Sequence, residues 1–372
     1  MEKGKGPTVK IINVCGARPN FMKIAPLMRA YRRHKNLQPL IIHTGQHYDE
    51  KMSDLFFRQL EIPEPDMNLG VGSSSHAVQT AEIMMRFEPV VLEQQPDWVV
   101  VVGDVNSTIA CALVAKKIGV KVAHVEAGLR SFDRTMPEEI NRLLTDAISD
   151  LLLVSEPSGL ENLKREGIAD EKIHFVGNVM IDTLKANLEK AERSNILNEL
   201  DLEPGNYNVV TLHRPSNVDD TESLSRIAEA FEAIQADLPI IFPMHPRTYK
   251  NLSKLGLSER FDNMKHLHIL EPVGYLDFLK LMSKAAVVLT DSGGIQEETT
   301  ILGVWCLTLR ENTERPITIS EGTNTLVGND SEKIVSAYRR CRSRSVDDPP
   351  IPEKWDGRAA DRIAELLVNE CY

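Results

Sequence analysis

Short apolar runs alternate with longer amphipathic stretches along the whole chain. In the first half, aliphatic and β-branched residues dominate five runs: VKIINV, PLIIHT, WVVVV, VKVAHV and DLLLVS. These runs lack the polar alternation of a half-exposed strand, so they indicate strands that are buried on both faces of a parallel sheet. The predicted strands occupy 9–14, 39–44, 98–102, 120–125 and 150–155.

The same pattern restarts in the second half of the chain. Further strands are predicted at 207–212, 238–243, 266–270, 285–290 and 304–309. Between the two series lies 183–206, a charged stretch with helical character and few turn signals. The alternation predicts an α/β protein with two Rossmann-like, doubly wound domains, 1–182 and 183–352, which face each other across a central cleft.

The composition narrows the class of partner. Of the 372 residues, 42% are hydrophobic and 26% are charged, as in globular proteins. A formal net charge of −11 argues against a general nucleic-acid or membrane-surface binder, and no apolar run approaches the roughly 18 residues that span a bilayer. An anionic substrate would therefore need a local basic pocket. Five scattered cysteines without a CxxC pair predict reduced thiols and a cytoplasmic location.

Candidate chemistry lies where the predicted strands of the first domain end, because ligands of open α/β sheets bind there. Arg18 and Lys23 follow the first strand and are either cations of a site or solvated surface charges. Asp104 follows the third strand after Gly103, and is either a carboxylate that projects into the cleft or a helix cap. Glu126 ends the fourth strand, where a carboxylate is costly to bury unless it is paired.

The stretch HVEAGLRSFDRTMPEEINR follows the fourth strand and concentrates charged residues. Pro137 is predicted to open a helix, with Glu138 and Glu139 in its first turn and Arg142 after them. Acidic residues in a first turn complement the helix dipole and need no further purpose. The stretch is thus either a catalytic wall or an ordinary surface helix.

Two strands of the second domain end in histidine and arginine. His213 ends the strand in TLHRPSN, and His245 ends the strand in FPMHPR. A lone histidine is more often structural than functional, and the histidines have no spacing that indicates a zinc site.

The segment AAVVLTDSGGIQEE is the strongest local signal of the second domain. Two glycines let the backbone approach a ligand, and the start of the following helix favours a phosphate. Glu297 or Glu298 is placed to accept ribose hydroxyls, and Arg315 is a candidate phosphate clamp. Neither GxGxxG nor a Walker sequence occurs, which disfavours NAD binding and P-loop ATP chemistry.

Six segments together closely resemble the non-hydrolysing UDP-N-acetylglucosamine 2-epimerase family: GARPNFMK, TGQHYDEKMSD, GDVNST, HVEAGLRSFDRTMPEEINR, TLHRPSN and TDSGGIQEE. They occur in the family's order and span nearly the whole chain, which is far more specific than a single glycine-rich loop. The resemblance implies a GT-B-like fold, a helix in 353–372 that packs back on the first domain, and a homodimer.

The resemblance also implies a reaction, the interconversion of UDP-GlcNAc and UDP-ManNAc for cell-surface polysaccharide precursors. Enzymes of this family expel UDP from C1, which acidifies the C2 hydrogen. They retain 2-acetamidoglucal and UDP until UDP adds back with C2 inverted. This route requires neither NAD nor a metal, and the partner is a small-molecule nucleotide sugar.

By motif position, the resemblance assigns catalytic roles to Asp104, Glu126, Glu138 and His213. The positions that it implicates in binding UDP or the sugar are Arg18, Lys23, Arg142, Phe278, Ser292, Gly293, Gly294, Glu298 and Arg315. Glu139, Arg130 and His124 stay open between a functional and a structural role.

The chain departs from the family pattern at two places. Members that depend on a second, allosteric UDP-GlcNAc have QHR followed by Gln or Glu, whereas this chain reads QHYD at 46–49. Gln46, His47 and His245 are nevertheless suitable polar groups for an allosteric site. Asn20 stands where Glu is common.

Four other functions compete with this interpretation. A related epimerase acts on UDP-2,3-diacetamido-2,3-dideoxyglucuronate, and the two substrates present the same UDP. Hydrolysing relatives release free ManNAc and UDP. A retaining glycosyltransferase on the same fold would need an acceptor groove. The non-enzymatic alternative is a nucleotide-sugar sensor without catalysis, although the presence of all four polar candidates argues against it.

Overall fold

The chain folds into two compact units. The computed structural model describes residues 8–45, 61, 63–244, 246–344 and 351–370, with backbone alone at 18, 19, 246 and 247. Unit 1 consists of Met1–Ala186 with Glu353–Tyr372, and unit 2 consists of Asn187–Pro352. Each unit contains one parallel sheet with helices. Among the described residues, every helix is too short or too polar to span a bilayer.

Unit 1 is built around a seven-stranded parallel sheet. Its strands are β1 (Val9–Cys15), β2 (Leu37–His43), β3 (Met67–Asn68), β4 (Trp98–Val102), β5 (Lys121–Ala127), β6 (Leu151–Val154) and β7 (Ile173–Phe175). Their order across the sheet is β3-β2-β1-β4-β5-β6-β7. Because the order reverses between β1 and β4, a ligand crevice is expected beyond the carboxyl ends of these two strands.

In the part of unit 1 that the structure describes, these strands are followed by α-helices and by one short 3₁₀ helix. The helices are α1 (Arg18–Tyr31), α2 (His76–Gln94), α3 (Asn106–Ile118), α4 (Pro137–Ile148), α5 (Pro157–Arg165) and α6 (Val179–Glu192), with the 3₁₀ turn at Asp170–Lys172. All five residues of β4 are buried, as expected for a central strand that is covered on both faces. Val99 and Val101 of this strand share one apolar cluster with Ile83 and Phe87 of α2 and with Cys111 of α3.

Unit 2 contains a six-stranded parallel sheet. Its strands are β8 (Asn208–Thr211), β9 (Ile240–Pro243), β10 (Leu267–Leu270), β11 (Val287–Thr290), β12 (Trp305–Thr308) and β13 (Asn324–Leu326), in the order β10-β9-β8-β11-β12-β13. Its helices are α7 (Ile196–Glu199), α8 (Pro215–Val218), α9 (Thr221–Ile234), α10 (Pro246–Lys254), α11 (Ser258–Asp262), α12 (Tyr275–Ser283), α13 (Gly293–Leu302), α14 (Ile317–Ser320) and α15 (Ser331–Arg342). Here the strand order reverses between β8 and β11.

The last helix, α16 (Ala359–Asn369), belongs to unit 1 and packs against α1. Asp182 of α6 accepts hydrogen bonds from the backbone N–H groups of Ala359 and Ala360, at 3.2 and 2.8 Å, and so caps the start of this helix. The Trp355 side chain is fully buried, and its Nε1 donates to the Ser155 carbonyl at 2.9 Å. These contacts attach the end of the chain to the first unit.

The ten predicted strands are all present, and each end lies within two residues of its predicted position. The sequence pattern missed β3, β7 and β13, which have only two or three residues and are too short for a recognisable pattern. The stretch 183–206 was predicted as one helical connection, but α6 begins at Val179 and ends at Glu192, and α7 is a separate turn of helix. The boundary between the two units falls inside α6.

Candidate active site

A buried ion pair joins the first two site candidates of unit 1. Lys23 lies on α1 after β1, and Glu126 lies near the end of β5. Lys23 Nζ donates to Glu126 Oε2 at 2.5 Å, and the two side chains are 10% and 3% exposed. Burying a carboxylate requires a partner of this kind, so the pair explains how Glu126 is accommodated near the end of β5.

Glu126 has an unusual backbone conformation. Its φ of 69° is in the left-handed region, which non-glycine residues rarely adopt. The pairing between β5 and β6 shifts register between Val125 and Ala127, so Glu126 is the extra residue of a β-bulge. A bulge turns a side chain away from the regular alternation of a strand, and strained residues of this kind cluster at functional sites. The bulge thus directs the Glu126 carboxylate towards Lys23.

Asn20 organises the turn that follows β1. Its Oδ1 accepts hydrogen bonds from the backbone N–H groups of Gly16 and Ala17, at 3.0 and 2.9 Å. Its Nδ2 donates to the carbonyl of Val102 at the end of β4, at 3.1 Å. An amide supplies both the acceptor and the donor, whereas an ionised glutamate could not donate to Val102. Asn20 therefore satisfies both sides of this turn with a single side chain.

Asp104 is paired with an arginine of α4. Arg142 Nη2 donates to Asp104 Oδ2 at 2.5 Å, and Arg142 Nη1 donates to Glu139 Oε2 at 2.7 Å. The Asp104 side chain is 30% exposed, whereas Arg142 and Glu139 are buried. Asn141 adds a bond from its Nδ2 to the Asp104 carbonyl at 2.8 Å. Asp104 therefore presents a carboxylate that is held by α4 and is open to solvent.

Glu138 and Glu139 are neighbours on α4 but have different surroundings. Glu139 accepts hydrogen bonds from the backbone N–H groups of Ser131 and Phe132, at 2.9 and 3.0 Å, and from Arg142. Its role is thus to hold the loop before α4. Glu138 is half-buried in the first helical turn and makes no hydrogen bond or ion pair with any residue that the structure describes. Of the two, only Glu138 is available to a ligand.

His124, which the sequence left open, belongs to a buried polar cluster. Its Nδ1 lies 2.6 Å from Asp146 Oδ1, and its Nε2 donates to the Gly103 carbonyl at 2.8 Å. Asp146 also receives Arg130 Nη2 at 2.7 Å. Burial by itself raises the pKa of Asp146, but the charges and hydrogen bonds of His124 and Arg130 outweigh it and hold that pKa below its usual value. Asp146 is therefore ionised, and the cluster has a structural role in the unliganded protein.

In unit 2, a buried aspartate fixes the turn that carries His213. Asp291 directly follows β11 and is fully buried. Its carboxylate accepts from the backbone N–H groups of His213 at 3.1 Å and Arg214 at 2.9 Å, and from Asn217 Nδ2 at 3.2 Å. Asp291 Oδ1 also lies 3.1 Å from His213 Nδ1. The imidazole is thus oriented by the neighbouring strand end at the switch point of this sheet.

The pKa of His213 is lowered from its ordinary value. The largest cause is the loss of solvent around the ring, although about half of the side chain (48%) remains exposed. The cations of Arg214 and Arg310 lower the pKa further, and the Asp291 carboxylate opposes them. His213 is therefore neutral at pH 7 in the unliganded protein.

The start of α13 provides the predicted glycine turn. Ser292 is the N-cap residue, and its side chain makes no capping hydrogen bond. A Cβ atom on Gly293 would lie 3.0 Å from Glu314 Oε1, so the backbone and this carboxylate are packed closely. Glu314 in turn receives Arg310 Nη2 at 2.9 Å and lies 3.8 Å from Arg214 Nη2. Two arginines are thus gathered beside the helix N-terminus, where anions are favoured.

Farther along α13, Glu297 and Glu298 have separate partners. Arg315 Nε donates to Glu297 Oε1, and both side chains are buried. Glu298 accepts from the Tyr275 hydroxyl at 3.1 Å. Burial raises the pKa of Glu298 to about 7; the Tyr275 hydrogen bond opposes this effect and the charge of Glu297 adds to it. Arg315, which was predicted to clamp a phosphate, is an ion-pair partner of Glu297 in this structure.

The remaining predicted residues differ in what can be said of them. Gly294 is the second residue of α13, and Phe278 is half-buried on α12. Gln46, His47 and His245 lie outside the described residues, and Arg18 is described only by its backbone at the start of α1.

Two buried aspartates, Asp146 and Asp291, were missed by the sequence reasoning. Asp291 carried a signal, because it follows a buried strand directly and opens the DSGG turn. Asp146 carried none, since it lies near the end of an amphipathic helix where a charged residue is ordinary.

The chain is similar over nearly its whole length to proteins of one known family. The family model for UDP-N-acetylglucosamine 2-epimerase matches residues 29–368. The UDP-N-acetylglucosamine 2-epimerase homolog of Methanococcus maripaludis is 49% identical over 368 residues, which cover 97% of this chain and 100% of the relative. UDP-2,3-diacetamido-2,3-dideoxy-D-glucuronate 2-epimerase of Pseudomonas aeruginosa is 40% identical over 365 residues, covering 97% and 100%.

A solved structure of a UDP-GlcNAc 2-epimerase also matches nearly the whole chain. The crystal structure of UDP-GlcNAc 2-epimerase from Methanocaldococcus jannaschii in complex with UDP-GlcNAc and UDP matches with a TM-score of 0.90 at 44% identity, over 97% of this chain and 100% of that one. Together with the two parallel sheets, this match confirms the predicted α/β, GT-B-like fold class.

Proposed function

Because the chain belongs to the UDP-N-acetylglucosamine 2-epimerase family, we propose that it interconverts UDP-GlcNAc and UDP-ManNAc by elimination and re-addition of UDP. The observation that carries the proposal is the arrangement in unit 1. There, a bulged Glu126 near the end of β5 is paired with Lys23, and Asp104 follows the adjacent strand β4 with its carboxylate open to solvent. This arrangement supplies carboxylates where the chemistry requires a base and an acid.

The substrate explains why carboxylates alone are insufficient. The C2 hydrogen of the sugar has no neighbouring carbonyl, so a carboxylate cannot remove it from the intact substrate. When the C1–O bond breaks and UDP leaves, C1 gains cationic character and the C2 hydrogen becomes acidic. Loss of that proton forms the double bond of 2-acetamidoglucal. Addition of UDP at C1 and of a proton on the opposite face of C2 then gives the epimer.

Unit 1 is proposed to supply the proton transfers. Asp104, Glu126 and Glu138 are the acid and base candidates, and the carboxylates also stabilise cationic character at C1. Arg142 and Lys23 hold Asp104 and Glu126 in place, at 2.5 Å in each pair, and bind substrate as well. Glu138 makes no hydrogen bond or ion pair with the residues that the structure describes, so it is the proposed proton donor at C2.

Unit 2 is proposed to bind UDP. The N-terminus of α13 with Ser292, Gly293 and Gly294 receives the diphosphate, and His213 stabilises its developing charge as the C1–O bond breaks. Glu298 is buried and accepts a hydrogen bond from the Tyr275 hydroxyl. It is proposed to accept hydrogen bonds from the ribose hydroxyls as well. Arg18, Phe278 and Arg315 complete the proposed contacts to the nucleotide sugar.

A second candidate substrate is favoured by one comparison. The relative from Pseudomonas aeruginosa acts on UDP-2,3-diacetamido-2,3-dideoxy-D-glucuronate and is 40% identical over nearly the whole chain. The elimination chemistry would be the same on this substrate, because the bonds that change at C1 and C2 are the same. The two substrates differ at C3, which carries a second acetamido group in the glucuronate, and at C6, which is a carboxylate there. This carboxylate would require an additional cation in the binding site.

The proposal is tested by proton NMR of the purified protein with UDP-GlcNAc in D₂O, without added metal or NAD. UDP-ManNAc with deuterium at C2 and little free UDP is the expected result. Free ManNAc with an equal amount of UDP would instead identify the hydrolysing reaction. If UDP-GlcNAc stays unchanged and unlabelled while the diacetamido-glucuronate is epimerised, the second candidate is correct. Asp104→Asn and Glu126→Gln should abolish turnover and leave UDP binding intact.

A homodimer is proposed with this function. Large apolar side chains on the outer face of α2 are exposed at seven-residue intervals, namely Val78 at 48%, Met85 at 67% and Leu92 at 56%. Residues spaced by seven lie on one face of a helix, and exposed apolar rows mark interaction surfaces.

The four described cysteines are free thiols, which fits the proposed cytoplasmic location.

A further inference from the structure

The cluster formed by His124, Arg130 and Asp146 takes part in no step of the proposed reaction, although it hydrogen-bonds to the backbone of Gly103, which precedes Asp104, and of Gly128, two residues after Glu126. All three of its side chains are buried. Arg130 reaches Glu166 as well, through Nε at 2.8 Å and Nη2 at 2.7 Å, so its charge is balanced by two carboxylates. A fully paired cluster of this kind can fix backbone geometry without binding a ligand.

Asp146 holds the turn that follows Glu126. Its Oδ2 accepts from the Gly128 N–H at 3.0 Å and from Arg130 Nη2 at 2.7 Å. Gly128 has a φ of 81°, and a Cβ there would lie 2.4 Å from the Gly159 carbonyl oxygen, so the backbone is tightly confined. The carboxylate thus anchors the chain two residues beyond Glu126.

His124 holds the turn that carries Asp104. The Gly103 carbonyl can only accept, so His124 Nε2 carries the hydrogen of their 2.8 Å bond. On its other side, Nδ1 lies 2.6 Å from Asp146 Oδ1, which fixes the plane of the ring. Gly103 in turn donates its N–H to the Val125 carbonyl at 3.1 Å. The peptide between Gly103 and Asp104 is therefore oriented by His124.

The two turns flank the strained residue. Glu126 has a φ of 69°, a conformation that persists only where the surroundings impose it. The Gly103 N–H binds the carbonyl of Val125 on one side, and Asp146 binds the N–H of Gly128 on the other. The same carboxylate therefore holds the backbone beside Glu126 through Gly128 and the backbone beside Asp104 through His124.

We infer that His124 and Asp146 are positioning residues, which set the orientation of Asp104 and Glu126 for proton transfer at C2. This inference rests on the proposed function. Both side chains are buried away from any ligand, at 0% and 1% exposure, so their loss should lower kcat and leave KM and UDP binding nearly unchanged. A displacement of about 1 Å is enough to cost about 100-fold in rate.

Two substitutions of His124 separate its two bonds. In His124→Gln, the amide nitrogen replaces Nε2 and keeps the bond to Gly103; in His124→Asn, it replaces Nδ1 and keeps only the contact to Asp146. The expected result is a fall in kcat of about 10- to 100-fold in His124→Asn, with KM within about 2-fold, and at least partial rescue in His124→Gln. Thr145→Val is the control, because Thr145 is a fully buried neighbour of Asp146.

Three kinetic results would overturn the inference: a kcat of His124→Asn within about 2-fold of the parent, equal losses in His124→Gln and His124→Asn, or a rise in KM at constant kcat. Amide hydrogen exchange at Gly103 and Gly128 is measured on the unliganded protein. It should accelerate at Gly103 in His124→Asn and at Gly128 in Asp146→Asn, but not in Thr145→Val. Unchanged exchange would refute the positioning role. This test does not depend on turnover, so if the parent converts neither sugar nucleotide, the proposed function fails but the exchange result still decides the positioning role.

Discussion

Lys23 and Glu126, which are 103 residues apart in sequence, form a buried ion pair of 2.5 Å at the carboxyl ends of β1 and β5. The pair joins the cation after the first strand to the carboxylate of the bulge. The pair therefore stabilises the buried carboxylate in the fold and holds Glu126 in place for the proposed chemistry.

The first prediction is that Lys23→Met destabilises the protein strongly. The substitution leaves the Glu126 carboxylate buried without its cation, which costs about 3 kcal/mol of the free energy of unfolding. Lys116→Met is the matched control, because Lys116 pairs with Asp150 at 2.8 Å but both side chains are about 30% exposed, at 31% and 28%. Its cost should be below about 1 kcal/mol. Urea denaturation measures both, and equal losses would show that burial of the Lys23 pair has no special cost.

The second prediction concerns Gly103, which lies against the same ion pair. A Cβ at this position would lie 2.9 Å from Lys23 Nζ, and the φ of 68° already disfavours a side chain. Gly103→Ala should therefore displace Lys23 and lower kcat by about 10-fold or more. Gly167→Ala is the control, since Gly167 has a φ of 81° but nothing within 4 Å of the added Cβ. Both variants should lose about 1 kcal/mol of stability. If Gly103→Ala has normal turnover, the exact position of Lys23 is unimportant.

The sequence predicted where the candidate residues of unit 1 lie, for a physical reason, but it did not predict which charged residues pair with each other. Parallel strands bring their carboxyl ends to one edge of the sheet, so Lys23, Asp104 and Glu126 were expected at the same edge before any distance was known. The partner of each charge depends on helices that start far along the chain. Arg142 reaches Asp104 across 38 residues, and Asp146 reaches His124 across 22. No local pattern specifies such contacts.

The same limit applies in unit 2. The DSGG turn was identified because glycines and a helix start form a local pattern, but the ion pair of Arg315 with Glu297 was not expected. Arg315 was assigned to a phosphate from its charge and from the family resemblance, neither of which indicates its partner in the folded protein. In the folded protein, a buried carboxylate on α13 is near enough to pair with it, and burial of both side chains favours that pairing.

The third prediction is a pH dependence of stability from Glu298. Its pKa is about 7 in the folded protein, against an ordinary value of 4.5, so the folded state binds more protons than the unfolded state between these values. Stability should therefore fall as pH rises through this window and level off above it, by about 3 kcal/mol in all. Glu298→Gln should remove this part of the fall and keep the part that belongs to Asp182, whose pKa burial raises to about 6. Glu199→Gln, at an exposed residue of α7, should retain the whole fall. Urea denaturation at pH 5 and pH 8 checks the three proteins; a parallel fall in Glu298→Gln would assign the effect to another group.

The fourth prediction is that nucleotide-sugar binding takes up a proton at His213. The ring is neutral at pH 7 because desolvation and two arginines lower its pKa, and a bound diphosphate would raise that pKa. Affinity should therefore weaken as pH rises from 6 to 8. The ligand is UDP-GlcNAc, because the diphosphate diester of this molecule does not titrate near neutral pH. The protein carries Glu126→Gln, so that the ligand is not turned over during the measurement. Calorimetry in two buffers of different ionisation enthalpy measures the proton uptake. His213→Gln should abolish it, and persistence of the uptake would place the proton elsewhere.

The fifth prediction is that the exposed row on α2 forms the contact between two copies of the chain. Met85 is the most exposed of the three apolar residues, at 67%, and lies in the middle of the row. The unaltered protein should elute at twice the 41.7 kDa of one chain in size-exclusion chromatography with light scattering. Met85→Glu places a charge in the centre of the apolar contact and should yield the monomer at micromolar concentration, because central residues carry most of the binding energy of an interface. Tyr249→Glu, at an equally exposed residue of unit 2, is the matched control and should remain dimeric. A dimeric Met85→Glu protein would exclude α2 as the interface, and a monomeric parent would exclude the homodimer itself.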